Sequence, residues 1–146
     1  MRVVVAGLGN MGRSHALAYH AHPEAEIVGL VNRSAVDLPE ELRGYPYLRN
    51  FAEGLACQPD LVCIATYSDS HAEYAIAAME AGADVFIEKP LATTVADARA
   101  VVATAKRLGR KLVIGYILRH HPSWQRLIAE ARELGGPYVF RMNLNQ

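Results

Sequence analysis

RVVVAGLGNMG, residues 2–12, joins a valine-rich apolar run to three glycines, Gly7, Gly9 and Gly12. A continuous β-branched run of this length suits a strand covered on both faces, as in a parallel sheet. Four more such runs follow: EIVGLVN from Glu26, DLVCIAT from Asp60, DVFIEK from Asp84 and KLVIGY from Lys111. Between them the apolar spacing turns helical. Ala72, Ala75, Ile76 and Met79 form one stripe, and Val95, Ala98, Val102 and Ala105 form another. Thr94 with Asp97 reads as a capping box opening the second of these helices, and Gly109 as its stop. A last helix is predicted to open near Pro122, to bury Trp124, Leu127, Ile128 and Ala131, and to end at Gly135 and Gly136. The segment RGYPYLRN, residues 43–50, holds a short edge strand. Parallel neighbours need right-handed crossovers, and helices are the usual ones, so the alternation predicts a doubly wound α/β domain over residues 1–136.

Composition narrows what such a domain serves. Fifteen Lys and Arg balance fifteen Asp and Glu, which excludes the electrostatic footprint of a nucleic-acid or anionic-membrane binder. No apolar stretch approaches the roughly 18 residues that span a bilayer. The opening MRVVVAGLGNMG breaks at Gly7, too soon for a secretory apolar region, and the chain reads as cytoplasmic. Cys57 and Cys63 read as small apolar fillers rather than a disulfide or a metal site.

In open α/β sheets ligands gather at the carboxyl ends of the strands. There the first strand delivers GLGNMG, that is Gly7, Leu8, Gly9, Asn10, Met11 and Gly12, a match to G-x-G-x-x-G placed between a strand and a helix pattern. Gly7 would permit the tight turn, Gly9 the approach of a pyrophosphate, and Gly12 close packing of the helix, whose amino terminus faces the phosphates. The pattern gives a dinucleotide's shape better than its identity. The second strand ends in Asn32, Arg33 and Ser34, where an NAD-preferring site places an acid on the adenosine ribose. No acid stands there. Asn32 and Ser34 can donate to a 2′-phosphate and Arg33 can add charge and a planar fork, which favours NADP. Two other readings stay open: Arg33 stacked on the adenine of NAD, or Arg33 solvating a loop.

These residues resemble the glucose-fructose oxidoreductase, inositol dehydrogenase and rhizopine-catabolism family of pyridine-nucleotide oxidoreductases. The resemblance rests on four features in order: GLGNMG, then ATYSDSHAEYAIAAMEAG from Ala65, then Glu88-Lys89-Pro90, then GYILRHHP from Gly115. It implies a Rossmann domain whose Lys89 reaches both the nicotinamide ribose and the reacting hydroxyl of a sugar or polyol, with Glu88 and Pro90 fixing its approach. It also implies that Ala65, Thr66, Tyr67, Ser68 and His71 flank the nicotinamide, and that Arg119 lies near that pocket. Tyr67 stands where a proline is common in the family, and His120 where an aromatic residue is usual.

The residues alone allow plainer readings. Lys89 is then a solvated strand-end charge paired with Glu88, His71 completes a helix turn capped by Ser68 or Asp69, and Arg119 with His120 is loop polarity. His15, His20 and His22 read as surface or packing residues, and no metal is implied. PYVFRMNLNQ, residues 137–146, reads as a strand, and the family resemblance implies that it begins a second, substrate-binding and oligomerising domain that is otherwise missing. The chain is thus expected to be inactive alone, and its intact form a homo-oligomer acting on a sugar-like or polyol substrate. The alternative is a dinucleotide-binding or sensor module without catalysis.

Overall fold

A computed structural model of the chain describes residues 1–141. The first compact unit, Met1–Gly115, is a six-stranded sheet flanked by helices. In chain order it comprises β1 (Arg2–Ala6), α1 (Asn10–Ala21), β2 (Glu26–Val31), β3 (Tyr47–Leu48), α2 (Phe51–Ala56), β4 (Leu61–Ile64), α3 (His71–Glu80), β5 (Asp84–Ile87), α4 (Val95–Leu108) and β6 (Leu112–Ile114). All five apolar runs are strands, RGYPYLRN holds the edge strand β3, and the sheet is parallel throughout.

The strand order is β3-β2-β1-β4-β5-β6, so the chain reverses direction across the sheet between β1 and β4. Loops leaving the carboxyl ends on either side of that point diverge and leave a crevice. Side chains alternate across the sheet with the period of a strand. Val4, Ala6, Val62, Ile64, Val85 and Ile87 point to the face covered by α2, α3 and α4, and Val3, Val5, Leu30 and Cys63 to the face covered by α1. The β1 valines are fully buried, which accounts for a run with no polar position in it.

Thr94 caps α4 by accepting from the Asp97 N–H at 3.1 Å, and the helix stops at Gly109. The stripe is rotated from the expected one. Val101, Thr104 and Ala105 are buried, whereas Val95 and Val102 are exposed. Val101 and Ala105 meet the small face of α3, Ala75 and Ala78, and that close packing selects the face one residue over.

The second unit begins at Tyr116. It holds a 3-10 turn at Ile117–Arg119 and α5 (Pro122–Leu134), which opens at Pro122 as expected. Its apolar face stays accessible: Leu127 and Ile128 are exposed, Trp124 and Ala131 half-buried. Burial of that stripe, expected from its spacing, is therefore not found. Residues 137–141 carry no strand pairing, and the rest of the expected strand, 142–146, lies outside the described residues.

Candidate functional site

Four loops from the carboxyl ends of β1, β2, β4 and β5 interlock around the crevice. Gly7, at φ +87°, makes the turn out of β1, and a Cβ there would lie 2.5 Å from the Ala65 carbonyl oxygen. Its absence lets the β4 loop lie against the glycine turn. Gly12 has the closer constraint: a Cβ would stand 1.7 Å from the Gly7 carbonyl oxygen, so only glycine lets α1 start this near the strand. Gly9 has open space where its Cβ would be. The first turn of α1 has no side-chain cap and no acidic residue, whereas α2 and α4 carry both. The uncapped end leaves backbone donors and the positive end of the helix dipole facing the crevice, which suits an anion.

Asn32 ties the β2 loop to the glycine turn. Its Oδ1 accepts from the Leu8 N–H at 3.0 Å and its Nδ2 donates to the Ser34 carbonyl at 2.7 Å. Asn32 is thus engaged in shaping the loop, which leaves the exposed Arg33 and Ser34 as its outward groups. The neighbouring strand adds residues that the sequence reading passed over. The Tyr47 hydroxyl donates to the Ser34 carbonyl at 2.6 Å, and the Arg49 guanidinium lies over the Tyr47 ring at 5.2 Å and reaches the Arg33 carbonyl at 3.5 Å. Among the described residues neither the Arg33 nor the Arg49 guanidinium is in a salt bridge, although the Arg49 backbone N–H donates to Glu53 Oε2 at 3.0 Å. Two guanidinium-bearing residues thus leave adjacent strand ends with neither guanidinium in a salt bridge among the described residues.

On the other side of the reversal point, His71 is buried at the start of α3. Its ring nitrogens meet the Pro90 carbonyl at 2.6 Å and the Thr66 carbonyl at 3.1 Å, tying the β4 and β5 loops together. Neither Ser68 nor Asp69 caps that helix; they form a 3-10 turn before it, and Tyr67 projects into solvent at 79% exposure. Met11 is exposed beside the glycine turn.

At the tip of β5, Glu88 and Lys89 part company. Glu88 is 7% exposed, and its Oε1 lies 2.8 Å from His15 Nε2 on α1. Its Oε2 accepts from the Lys89 backbone N–H at 3.2 Å. The Lys89 side chain is exposed, with no carboxylate partner among the described residues. A Glu88–Lys89 ion pair is therefore absent, and the strand presents a lone ammonium at the crevice. His15, read from the sequence as packing or surface, does pack edge-on against Phe86 at 4.9 Å, but its nitrogen serves Glu88. A histidine one helical turn beyond Gly12 on an inward face was the signal for it.

The structure thus gathers Gly7 to Gly12, Asn32 to Ser34, Ala65, Thr66, His71 and Glu88 to Pro90 around one crevice. Arg119 belongs to the second unit, where its guanidinium lies over the Tyr116 ring at 5.3 Å.

Residues 1–116 match the family model described as "Oxidoreductase family, NAD-binding Rossmann fold". The chain belongs to this family. It is 35% identical, across 86% of its length, to a 4-carboxy-2-hydroxymuconate-6-semialdehyde dehydrogenase of a Sphingobium species, covering 41% of that protein. It is 33% identical, across 95% of its length, to an inositol 2-dehydrogenase of Agrobacterium fabrum, covering 44% of it. Among solved structures, GenD2 from gentamicin A biosynthesis, in complex with NAD, superposes with a TM-score of 0.81 at 29% identity, over 91% of this chain and 40% of that one. The chain therefore spans about two-fifths of the length of these relatives. No helix among the described residues is long and apolar enough to cross a membrane.

Proposed function

We propose that this chain is the dinucleotide-binding part of a cytoplasmic, homo-oligomeric NAD(P)-dependent oxidoreductase that moves hydride between the cofactor and a CH–OH group of a sugar, polyol or related hydroxy compound. The observation that carries it is the pairing of two features at one crevice: the uncapped, acid-free amino terminus of α1 behind Gly7 to Gly12, and the lone Lys89 ammonium at the tip of β5. The relatives' names supply the substrate class, since they include dehydrogenases of inositol and of D-apiose.

In this reading the first-turn N–H groups of α1 hold the pyrophosphate, and Thr66, His71 and Pro90 shape the nicotinamide side, with Ala65, Tyr67, Ser68 and Arg119 near it. A bound nicotinamide supplies the hydride acceptor. Lys89 would donate a hydrogen bond to the substrate oxygen and stabilise the negative charge that it bears once a base in the remaining length of the protein has taken the hydroxyl proton, or that it gains when hydride adds to the carbonyl in the reverse direction. Substrate contacts beyond Lys89 belong to the remaining length of the relatives, so the chain alone should bind dinucleotide without turnover. In a version extended to that length, Lys89→Ala should lower the turnover number by about a hundred-fold or more, roughly 2.7 kcal/mol, with little change in cofactor affinity. Steady-state kinetics beside a binding titration separates the two, and unchanged turnover removes Lys89 from the chemistry.

The favoured cofactor is NADP. Arg33, Ser34 and the neighbouring Arg49 offer charge and donors where a 2′-phosphate would sit, and no acid in Asn32 to Ser34 opposes it. A charged hydrogen bond is worth about 1.5–3 kcal/mol. Arg33→Ala should therefore weaken NADPH roughly ten-fold or more and leave NADH nearly unchanged, as read by titration calorimetry on the 146-residue chain. Equal losses for both cofactors would instead assign Arg33 to the adenine ring.

A further inference from the structure

Glu88 poses a problem for the lysine that follows it. A carboxylate directly beside the reacting ammonium is its nearest available counter-ion, and an ion pair between them would cancel the charge that the proposed chemistry needs. The fold removes Glu88 from that competition in three ways. Its side chain is turned inward and nearly buried. Space for it exists because residue 115 is glycine: a Cβ there would lie 3.2 Å from Oε1 and 3.3 Å from Oε2. Its two oxygens are then occupied, Oε1 by His15 Nε2 at 2.8 Å and Oε2 by the Lys89 backbone N–H at 3.2 Å.

His15 is the part of this arrangement that can be removed. It is only partly accessible, is braced edge-on by Phe86, and stands three residues past Gly12 on the helix that faces the phosphates. A buried carboxylate that loses its partner leaves an uncompensated charge and turns toward the next donor it can reach. Here that donor is the adjacent Lys89, which has no carboxylate partner among the described residues. We propose that His15 is a positioning residue: by holding Glu88 inward, it keeps the Lys89 ammonium unpaired and available to a substrate oxygen. The chemical consequence rests on the reading of Lys89 given above. The sequestration of Glu88 does not, and it can be measured with no nucleotide present.

The chain contains only three lysines, Lys89, Lys106 and Lys111, so reductive 13C-methylation gives a spectrum in which Lys89 is assigned by its loss in Lys89→Arg. His15→Phe keeps the aromatic contact to Phe86 and removes the nitrogen. It should shift the Lys89 methyl resonance, and the added Glu88→Gln change should return it to the wild-type position, because no carboxylate remains to pair with it. His15→Gln, which retains a donor toward Glu88, should leave the resonance in place. The Lys106 and Lys111 signals, far along the chain from Glu88, should stay fixed in every variant. A Lys89 signal unmoved in His15→Phe, or moved and not restored by Glu88→Gln, overturns the proposal. If His15→Phe does not fold, as judged by circular dichroism, His15→Leu carries the same comparison. Addition of NADPH to the wild-type chain is a separate arm: a silent Lys89 resonance there sinks the cofactor reading, while the His15 comparison is decided by its own spectra.

Discussion

Cys63 lies on β4 beside Phe86 of β5, fully buried. Burial first, and then the charge of Glu88, pushes the thiol from its ordinary 9.0 up to about 12, although Tyr19 nearby acts the other way. Burial and then Cys63 push the Tyr19 hydroxyl upward as well. The thiol matters for stability because its proton is held differently in the two states. Unfolded, it ionises near pH 9.0; folded, it keeps its proton until about pH 12. The folded state binds more protons across that window, so stability falls as pH rises through it and is unaffected below it. Cys63→Ala should flatten the alkaline fall in melting temperature between pH 9.0 and about 12, measured by circular dichroism against wild type. An unchanged slope would mean that other groups, Tyr19 among them, carry the alkaline loss. The sequence announced Cys63 as an apolar filler and it is one. Its link to Glu88 and His15 was not legible, because His15 and Glu88 are 73 residues apart in the chain and meet only when α1 crosses the sheet. Arg49 escaped notice for the same reason: only the pairing of β2 with β3 brings it to Arg33.

The glycine turn and α1 invite a comparison of neighbours. Gly9 and Gly12 belong to the same motif but have different surroundings: a Cβ at Gly9 meets open space, and one at Gly12 meets the Gly7 carbonyl oxygen. Gly12→Ala puts a carbon 1.7 Å from a backbone oxygen, which nothing flexible can relieve. It should cost at least about 3 kcal/mol, in the range of the severe substitutions. Gly9→Ala meets nothing within 4 Å and sits at the cap of α1, at φ −70°. Its stability cost should stay within about 1 kcal/mol, the size of a cap change, yet in the proposed binding mode its methyl group would stand where the phosphates approach the backbone. Thermal melts and NADPH titrations on both variants check this. A Gly9→Ala chain that binds as wild type would show that the phosphates do not lie against Gly9. Motif and helix signals at this scale were legible because each is local: Thr94 with Asp97, Pro122 and Gly109 act within one turn. The rotated face of α4 was not, since period alone cannot choose between Val101 and Val102 until α3 is packed against it.

Both hydrophobic clusters are assembled from residues between Val3 and Ile114, entirely within the first unit. Every residue assigned here to dinucleotide binding also lies in that unit except Arg119. Stability and binding should therefore travel together and survive loss of residues 116–146. A chain ending at Gly115 should melt cooperatively and bind NADPH, weaker at most by the share that Arg119 supplies, about 1.5–3 kcal/mol for one charged hydrogen bond. The removed part carries Ile117, Leu134, Val139 and Phe140, exposed by 66%, 83%, 100% and 60%. Apolar surface of that extent drives association in water. Light scattering should thus find the 146-residue chain self-associated and the shorter chain monomeric. A shorter chain that is unfolded would place part of the stabilising core in the second unit. A full-length chain that is monomeric would mean that the exposed residues from Tyr116 onward are tolerated in water without a partner.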